Sequence, residues 1–269
     1  MLEATVFVAS LHRYPVKGLS PEELPSVELK SSQGFPLDRA FAITDGSFQF
    51  DPKNPVAQPK TKFLVLAKYE RLANLKTKYS SESGRLEIAY KGLARVYDLS
   101  RKSDRVDVAL FTKNFLDVTL PGEPELINAP GHQFTDVSVH SASLMRSISL
   151  INLATVRDLQ QRVGVFLDPL RFRANLYFDD APASSELEWL GREITIGTVK
   201  LRIARRTKRC PATSVNPETG ERNINVPIAI REYVQHGDLG VYAEVLEGGT
   251  LTPRDSMHLE AQTVSPGGP

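Results

Sequence analysis

The sequence predicts a mainly β fold with a few short helices (α+β). Short runs of alternating or β-branched apolar residues recur along the chain, and most gaps between them contain Gly, Pro, Asn or Asp. Such short spacing favours antiparallel strands over crossover units, which need an intervening helix. The 269 residues, 41% of them hydrophobic, can bury a substantial core.

The first half of the chain carries the densest strand pattern. We expect strands at residues 5–10, 27–29, 41–44, 64–69, 86–90, 95–99 and 106–110. Together they predict a small β domain over residues 1–120. The next stretch, 120–132, is rich in Pro and Gly and is the best candidate for a domain connection.

The hydrophobic period changes near Asn152, where a helix is expected to begin. Apolar residues from 153 to 163 fall on one helical face, Asn152 can cap the N-terminus, and Gly164 can stop the helix. Strand signals return at 172–178, 193–196, 199–204 and 241–246, with a short helix at 228–235. Residues 121–262 therefore predict a β barrel or sandwich with attached helices, followed by a flexible tail over 263–269.

Charge and composition exclude several classes of protein. Lysine and arginine total 33 against 32 aspartate and glutamate, so no general attraction draws the chain to nucleic acid or to an anionic membrane, and we expect neither partner. We find no secretory signal and no apolar run near the roughly 20 residues of a bilayer span. A single cysteine excludes an intrachain disulfide and zinc sites with two or more cysteines. We therefore expect a cytoplasmic protein.

Cys210, the only cysteine, is the strongest candidate for a functional residue. It directly follows a cationic run from Arg202 to Arg209. Neighbouring positive charge favours the thiolate, which is both a nucleophile and a soft-metal ligand. The alternative is a small buried hydrophobe beside the solvated face of a strand, and composition alone does not choose between the two.

Two polar motifs flank Cys210 in the sequence. Arg171, Arg173 and Asn175 alternate and would emerge on one face of a strand. Arginine forks suit phosphate and carboxylate, while Asn can pair with the donor and acceptor edge of a ring. Residues 216–220, Asn-Pro-Glu-Thr-Gly, form a typical turn. The alternatives are a charge cluster at the start of a strand and a plain surface turn.

Lys17 and Gly18, near the N-terminus, are candidates for an anion site. Lys17 would supply a cation, Gly18 a free backbone N–H, and Arg39 a bidentate contact. Alternatively, Asp38 and Arg39 simply form a surface ion pair.

Other catalytic classes lack their motifs. The chain has no Gly-x-Ser-x-Gly, no Gly-x-Gly-x-x-Gly and no Walker loop. Its five histidines form no metal-ligand pair, and His236 is expected to cap the end of a helix. Hydrolase and nucleotide-cofactor functions are therefore not supported.

In their order and spacing, the polar motifs together resemble the MOSC domain family, which includes the mitochondrial amidoxime-reducing component and the C-terminal domain of molybdenum cofactor sulfurase. The resemblance covers nearly the whole chain. The residues that carry it are 14–18, 37–39, 172–175, 209–210 and 216–220. It implies a MOSC-type β barrel with short helices, plus an N-terminal β-barrel subdomain.

The resemblance also implies that the chain binds the molybdenum cofactor (Mo-molybdopterin). Cys210 would be both the catalytic residue and the metal ligand. The pterin and its phosphate would be held by Lys17, Gly18, Arg39, Asn152, Arg173, Asn175, Thr207, Lys208 and Arg209. An anionic pterin whose metal prefers sulfur suits such residues. Two positions depart from the family pattern, since Gly18 stands where Ser is frequent and Ala174 stands in place of Pro.

The resulting hypothesis is a molybdenum-dependent oxidoreductase that reduces N-hydroxylated small molecules such as hydroxylamines or amidoximes. The sequence shows neither an aminotransferase-like domain nor a cysteine cluster for iron and sulfur, so a separate donor protein, a reductase or an iron–sulfur carrier, is expected to supply electrons. The alternative is a cofactor carrier or sulfur-transfer module with a persulfide on Cys210. A third hypothesis is a catalytically silent β-barrel interaction protein.

Overall fold

The computed structural model describes residues 5–260. Residues 1–4 and 261–269, which include the tail expected at 263–269, lie outside this range. The strands in chain order are β1 (Phe7–Arg13), β2 (Glu22–Leu24), β3 (Val27–Leu29), β4 (Phe41–Ile43), β5 (Lys76–Ser80), β6 (Arg85–Tyr90), β7 (Leu93–Asp98), β8 (Leu126–Asn128), β9 (Ile148–Asn152), β10 (Leu176–Asp179), β11 (Glu193–Ile196), β12 (Val199–Lys208), β13 (Asp238–Glu247), β14 (Gly249–Leu251) and β15 (Met257–Leu259).

The helices are few and short, and the predicted mainly β fold class is confirmed. The α-helices are α1 (Lys102–Leu116), α2 (Ala142–Met145), α3 (Leu153–Val163) and α4 (Val226–Val234). Single 3-10 turns lie at Lys60–Lys62, Glu70–Asn74, Pro169–Phe172, Ser185–Glu188 and Pro211–Ser214. None of the helices between residues 5 and 260 combines the length and the apolar character needed to cross a bilayer.

The largest sheet has eight strands in the order β15-β11-β12-β13-β9-β10-β1-β2. It closes on itself because the start of β1 bonds to the chain around β15. Val8 N donates to Asp255 O at 2.9 Å, and Met257 N donates to Val6 O at 2.8 Å. Closure satisfies main-chain groups that an open edge would leave unpaired, and it makes this sheet a β barrel.

Apolar side chains fill the barrel, because alternate residues of its strands point inward. Members of this core that are fully buried are Val8, Leu11, Ile148, Leu150, Leu176, Phe178, Ile194, Ile196, Val199, Leu201, Ile203, Val241, Ala243 and Leu251. Most strand pairs of the barrel are antiparallel, as expected. The pair β9–β10 is parallel, and α3 lies in the connection between those two strands.

Helix α3 packs on the outside of the barrel together with α4. Asn152 Oδ1 accepts a hydrogen bond from Ala154 N at 3.0 Å and caps the helix, and Gly164 ends it at φ 69°. Both expected helix ends are therefore confirmed. Val156 and Leu159 bury the apolar face.

The first half of the chain builds a second, smaller core from short antiparallel sheets. Strand β4 pairs with β8, and β5, β6 and β7 form a three-stranded sheet that α1 covers. The strand expected at 106–110 is wrong, since this segment lies in α1. Val108, Thr112 and Leu116 are buried at four-residue spacing while Val106 is exposed, which is the pattern of a helix. The strand expected at 64–69 forms turns instead.

The strand expected at 172–178 begins only at Leu176. Before it, Asp168 Oδ1 accepts a hydrogen bond from Leu170 N at 2.8 Å and Pro169 takes the first position of a 3-10 turn. The chain therefore turns there, and Arg171 and Arg173 do not share the face of a strand.

The domain boundary at residue 120 stays a prediction. Strand β1 lies in the barrel although it begins the chain.

Leu150→Ala should destabilise the fold by about 2–5 kcal/mol. Leu150 is fully buried in β9, between β10 and β13. Its truncation therefore leaves a cavity that the strands of the closed barrel cannot move inward to fill. Urea unfolding of the variant and wild type measures the change. Leu93→Ala is the matched control, because Leu93 is 80% exposed and its loss should change the free energy of unfolding by less than about 0.5 kcal/mol. Equal stability of both variants would contradict the assigned core.

Candidate functional site

A cavity of about 540 Å³ lies where the barrel meets the smaller core. Its wall combines segments 17–18, 38–39 and 65–67 of the first half with segments 171–175 and 205–213 of the second. The cationic side chains in the wall are Lys17, Arg39, Lys60, Arg171, Arg173, Arg205, Arg206, Lys208 and Arg209, and the carboxylates are Asp38 and Asp136. Nine cations against two carboxylates give the wall an excess of positive charge, which favours an anion.

Nine of the ten site residues expected from the sequence line this cavity. They are Lys17, Gly18, Arg39, Arg173, Asn175, Thr207, Lys208, Arg209 and Cys210. Asn152 is not in the wall. It is fully buried, and its Nδ2 donates to Pro182 O at 2.8 Å and to Glu186 at 3.2 Å. Its amide is therefore occupied in supporting α3, which corrects its expected place beside a cofactor.

Cys210 stands at the cavity wall directly after β12. The barrel strand ends at Lys208, and Pro211 begins a 3-10 turn in which Thr213 N donates to Cys210 O at 3.0 Å. The cysteine is free and half-buried. Lys60 lies beside its thiol, and although burial opposes the charge, Asp136 and Cys210 raise the pKa of Lys60 above its usual range. Cys210 is thus not a fully buried hydrophobe.

Arg209 and Thr207, two residues of the cavity wall, each carry a buried polar atom without a hydrogen-bond partner among the described residues. Arg209 Nε donates to Leu239 O at 2.6 Å and Nη1 donates to Phe172 O at 2.9 Å. Its Nη2 and the Oγ1 of Thr207 are buried and have no hydrogen-bond partner in the part of the chain that the structure describes. Burial lowers the pKa of Arg209. Unpaired buried polar atoms cost stability, and two residues of this wall carry one each.

Arg39 and Arg173 meet at the base of the cavity. Arg39 Nη2 donates to Arg173 O at 2.8 Å, and Arg173 Nη1 donates to Leu19 O at 2.8 Å. Burial, and then the charge of Arg39, lower the pKa of Arg173 to about 10. The ion pair expected between Asp38 and Arg39 forms, but Asp38 is 3% exposed, so the pair is not on the surface. Arg173 has no carboxylate partner among residues 5–260.

Lys17 is held inside the wall by Asp136. Its buried Nζ donates to Phe134 O at 2.9 Å and to Asp136, whose second oxygen accepts from Lys60 at 3.2 Å. Burial would raise the pKa of Asp136, but the two lysines outweigh it and hold that pKa well below its usual range. Sequence reasoning missed Lys60 and Asp136 because neither lies in a recognisable motif.

Gly18 has a steric reason to be glycine. It adopts φ 87°, and a Cβ there would lie 2.5 Å from Leu64 O. The Ser that is frequent in the family would therefore clash in this conformation. The Gly18 amide donates no hydrogen bond to any of the described residues, so it is free to meet an anion.

Asn175 lines the cavity, but the hydrogen bonds of its side chain are all made within the protein. Its Oδ1 accepts from Ser149 N and Oγ, each at 3.1 Å, and its Nδ2 donates to His12 O at 3.2 Å. These bonds tie β9 and β1 to the start of β10. Asn175 therefore shapes the wall.

The turn expected at 216–220 is present but lies outside the cavity wall. Asn216 Oδ1 accepts from Glu218 N at 2.9 Å, Gly220 adopts φ 75°, and Lys76 Nζ donates to Pro217 O at 2.7 Å. The turn thus joins the barrel region to the smaller core.

His236 does not cap the end of helix α4 as expected. The helix ends with Gln235 in the left-handed region, and His236 Nδ1 accepts from Asp238 N at 3.1 Å, within the turn after the helix.

Two family models match adjoining parts of the chain. The MOSC N-terminal beta barrel domain matches residues 5–117, and the MOSC domain matches residues 137–258. The chain belongs to the MOSC domain family. Between residues 5 and 260 this MOSC chain has no group of three or more His, Cys, Asp or Glu side chains that could hold a metal ion.

The MOSC chain is also similar to molybdenum cofactor sulfurases. It is 31% identical to that of Drosophila persimilis over 112 residues, 41% of the chain, and 21% identical to that of Bos taurus over 248 residues, 81% of the chain. These matches span only 13% and 28% of the two relatives.

Solved structures give weak matches. The YUAD protein from Bacillus subtilis is 12% identical, with a TM-score of 0.40 over 94% of both chains. YiiM from Geobacillus stearothermophilus is 19% identical, with a TM-score of 0.35 over 44% of this chain and 55% of that chain. Scores this low add no weight to the family assignment.

Asp136→Asn should lower the free energy of unfolding at pH 7 by about 1–3 kcal/mol. The change leaves Lys17 buried without its counterion, and screening limits the loss because the Asp136 side chain is 41% exposed. Since the pKa of folded Asp136 lies below its unfolded value, the stabilisation is present above about pH 4 and is lost as pH falls through the folded pKa.

Urea unfolding between pH 3 and pH 7 measures this effect. The difference in the free energy of unfolding between wild type and Asp136→Asn should become smaller toward pH 3. Glu188→Gln is the control, because Glu188 pairs with Arg206 but is 79% exposed, and it should change little at any pH. A constant difference across the range would contradict the ion-pair assignment.

Proposed function

We propose that this chain binds the molybdenum cofactor and reduces N-hydroxylated compounds. The cofactor proposal depends on one observation: Cys210 shares a cavity wall with nine cationic side chains, and two residues of that wall, Thr207 and Arg209, carry buried polar atoms without a partner among the described residues. Thiolate is a soft ligand that suits molybdenum, and cationic forks complement phosphate. These residues fit the group. The similarity to molybdenum cofactor sulfurases supports the same cofactor.

In this proposal the wall residues have separate tasks. Cys210 binds the metal, while Arg173, Arg209 and the Gly18 amide bind the anionic part of the cofactor. Arg39 contributes its charge, and Lys208 contributes from the exposed rim. Lys17 and Asn175 hold the wall in place, because their polar atoms already have partners in the fold. When bound, the cofactor supplies a redox metal for a two-electron reduction.

The proposed reaction cleaves the N–O bond of an N-hydroxylated small molecule. It consumes two electrons and two protons and yields the N–H compound and water. We propose that a separate protein, a reductase or an iron–sulfur carrier, delivers the electrons. Arg205 and Lys208 are exposed side chains of the cavity wall, so an acidic donor suits this face. A cytoplasmic location stays a prediction.

A sulfur-transfer or carrier role is the second candidate, and the names of the relatives favour it. In that role Cys210 bears a persulfide, or the cavity holds the cofactor only for delivery. The cationic wall serves both roles, since each requires an anionic cofactor beside the thiol. The two differ in whether sulfane sulfur accumulates on Cys210 and whether N-hydroxylated compounds are reduced.

Cys210→Ser should abolish molybdenum retention and hydroxylamine reduction while leaving the fold intact. A hydroxyl is a much poorer ligand for a soft metal than a thiolate, and the half-buried side chain makes no essential core contact. Elemental analysis of protein from a cofactor-producing host, with circular dichroism for the fold, measures the first effect. Reduction assayed with dithionite and methyl viologen measures the second.

Wild-type protein from the same cofactor-producing host separates the reductase from the sulfur-transfer candidate. Stoichiometric molybdenum with hydroxylamine reduction supports the reductase. Labile sulfane sulfur on Cys210 without reduction supports sulfur transfer. Unchanged molybdenum content in Cys210→Ser would refute Cys210 as the metal ligand.

Arg173→Ala should weaken cofactor binding by about 2–5 kcal/mol. Arg173→Lys should restore only part of it, because lysine keeps the charge but loses the planar fork. Pterin and molybdenum content across wild type, Lys and Ala variants measures the order. Arg157→Ala is a suitable control, since Arg157 is an exposed arginine paired with Asp179 outside the cavity wall. Equal occupancy in all variants would remove Arg173 from the site.

A further inference from the structure

Tyr14 is fully buried and lies behind the cavity wall, yet its ring contacts two arginines of that wall. The guanidinium carbon of Arg39 is 4.4 Å from the ring centroid, and that of Arg173 is 4.3 Å from it. Both distances are within the range of cation–π attraction. One aromatic ring therefore contacts both cations at the base of the cavity.

The two guanidiniums need such a partner because they repel each other. Asp38 forms an ion pair with Arg39 and not with Arg173, and after burial the charge of Arg39 is the next cause that lowers the pKa of Arg173. Their backbones are also unusual, with φ 48° at Arg39 and φ 53° at Arg173, which L-residues adopt at a cost. The negative face of an aromatic ring offsets positive charge without neutralising it. Together with Asp38, the two arginines thus keep one net positive charge for a ligand.

Tyr14 contacts the residues around it in two separate ways, by main-chain hydrogen bonds and by its ring. Tyr14 N donates to Asp38 Oδ1 at 2.9 Å, and Arg39 N donates to Tyr14 O at 2.7 Å. The hydroxyl lies 3.5 Å from the hydroxyl of Tyr177, also buried. A change of side chain leaves the main-chain bonds in place. The contribution of the ring can therefore be measured by itself.

We propose that Tyr14 is a positioning residue whose ring holds Arg39 and Arg173 as a paired site for a phosphate-type oxyanion. The inference rests on the proposed function, in which that oxyanion is the phosphate of the cofactor. Two guanidiniums offer several N–H donors in planar forks, the geometry that phosphate oxygens accept. Tyr14 itself does not touch the ligand, because it is not part of the cavity wall.

The test measures the binding of inorganic phosphate to the full chain by calorimetry at low ionic strength. Tyr14→Leu should weaken binding about tenfold, which equals about 1.4 kcal/mol, whereas Tyr14→Phe should bind as wild type does, since it keeps the ring. Tyr97→Leu is the matched control, because Tyr97 is also buried but lies in β7, outside the cavity wall. It should reduce thermal stability without changing phosphate affinity.

A second variant keeps the test decisive if Tyr14→Leu does not fold. Replacing Tyr14 with pentafluorophenylalanine preserves the shape of the ring but reverses its electrostatic face, so phosphate affinity should again fall about tenfold relative to Tyr14→Phe. The reaction of Arg39 and Arg173 with phenylglyoxal, followed by mass spectrometry, gives a readout without any ligand. Both arginines should react faster when the aromatic face is lost.

The outcomes separate this inference from the proposed function. Equal phosphate affinity in Tyr14→Phe and the pentafluorophenylalanine variant would overturn the role of Tyr14, as would no phosphate binding by wild type. Phosphate binding that depends on Tyr14, in a chain that retains no molybdenum, would uphold the role of Tyr14 and reject the proposed cofactor.

Discussion

The antiparallel pairing of β1 with β10 is the interaction on which the site depends. Leu11 lies opposite Leu176, and His12 N donates to Asn175 O at 2.8 Å. This register carries the chain after β1 toward the residues that precede β10, so Tyr14 meets Arg173 although 159 positions separate them in sequence. The closed barrel holds that register, because β1 is paired along both of its edges.

Around that pairing the fold concentrates positive charge that it does not neutralise. Asp38 and Asp136 satisfy Arg39, Lys17 and Lys60, while Arg173 and Arg209 bond mainly to carbonyl oxygens. Burying unpaired guanidiniums costs stability. This loss of stability is concentrated at one cavity, beside the only cysteine of the sequence. A bound anion would offset it by pairing with the guanidiniums.

The sequence was a good guide where local physics governs. Asn152 and Gly164 define the ends of α3 by capping chemistry, and the turn at 216–220 follows from its Pro and Gly. It failed where tertiary contacts decide. The alternating pattern at 106–110 is equally compatible with a helix once Val108 and Leu116 face a core. The strand expected from 172 failed for a local reason instead, since Asp168 and Pro169 start a 3-10 turn before β10.

By itself, the sequence determined the mainly β class, the two caps of α3 and the set of charged motifs around Cys210, because these depend on residue types at short spacing. Only the tertiary structure decided which of those residues share a cavity. It brought Lys60 to the thiol and Asp136 to Lys60 and Lys17, and it placed the ring of Tyr14 against two arginines. It also buried Asn152 outside the cavity wall, where its side chain caps α3. The physical reason is that strand register and barrel closure, which join distant segments, leave no local signal in a single chain.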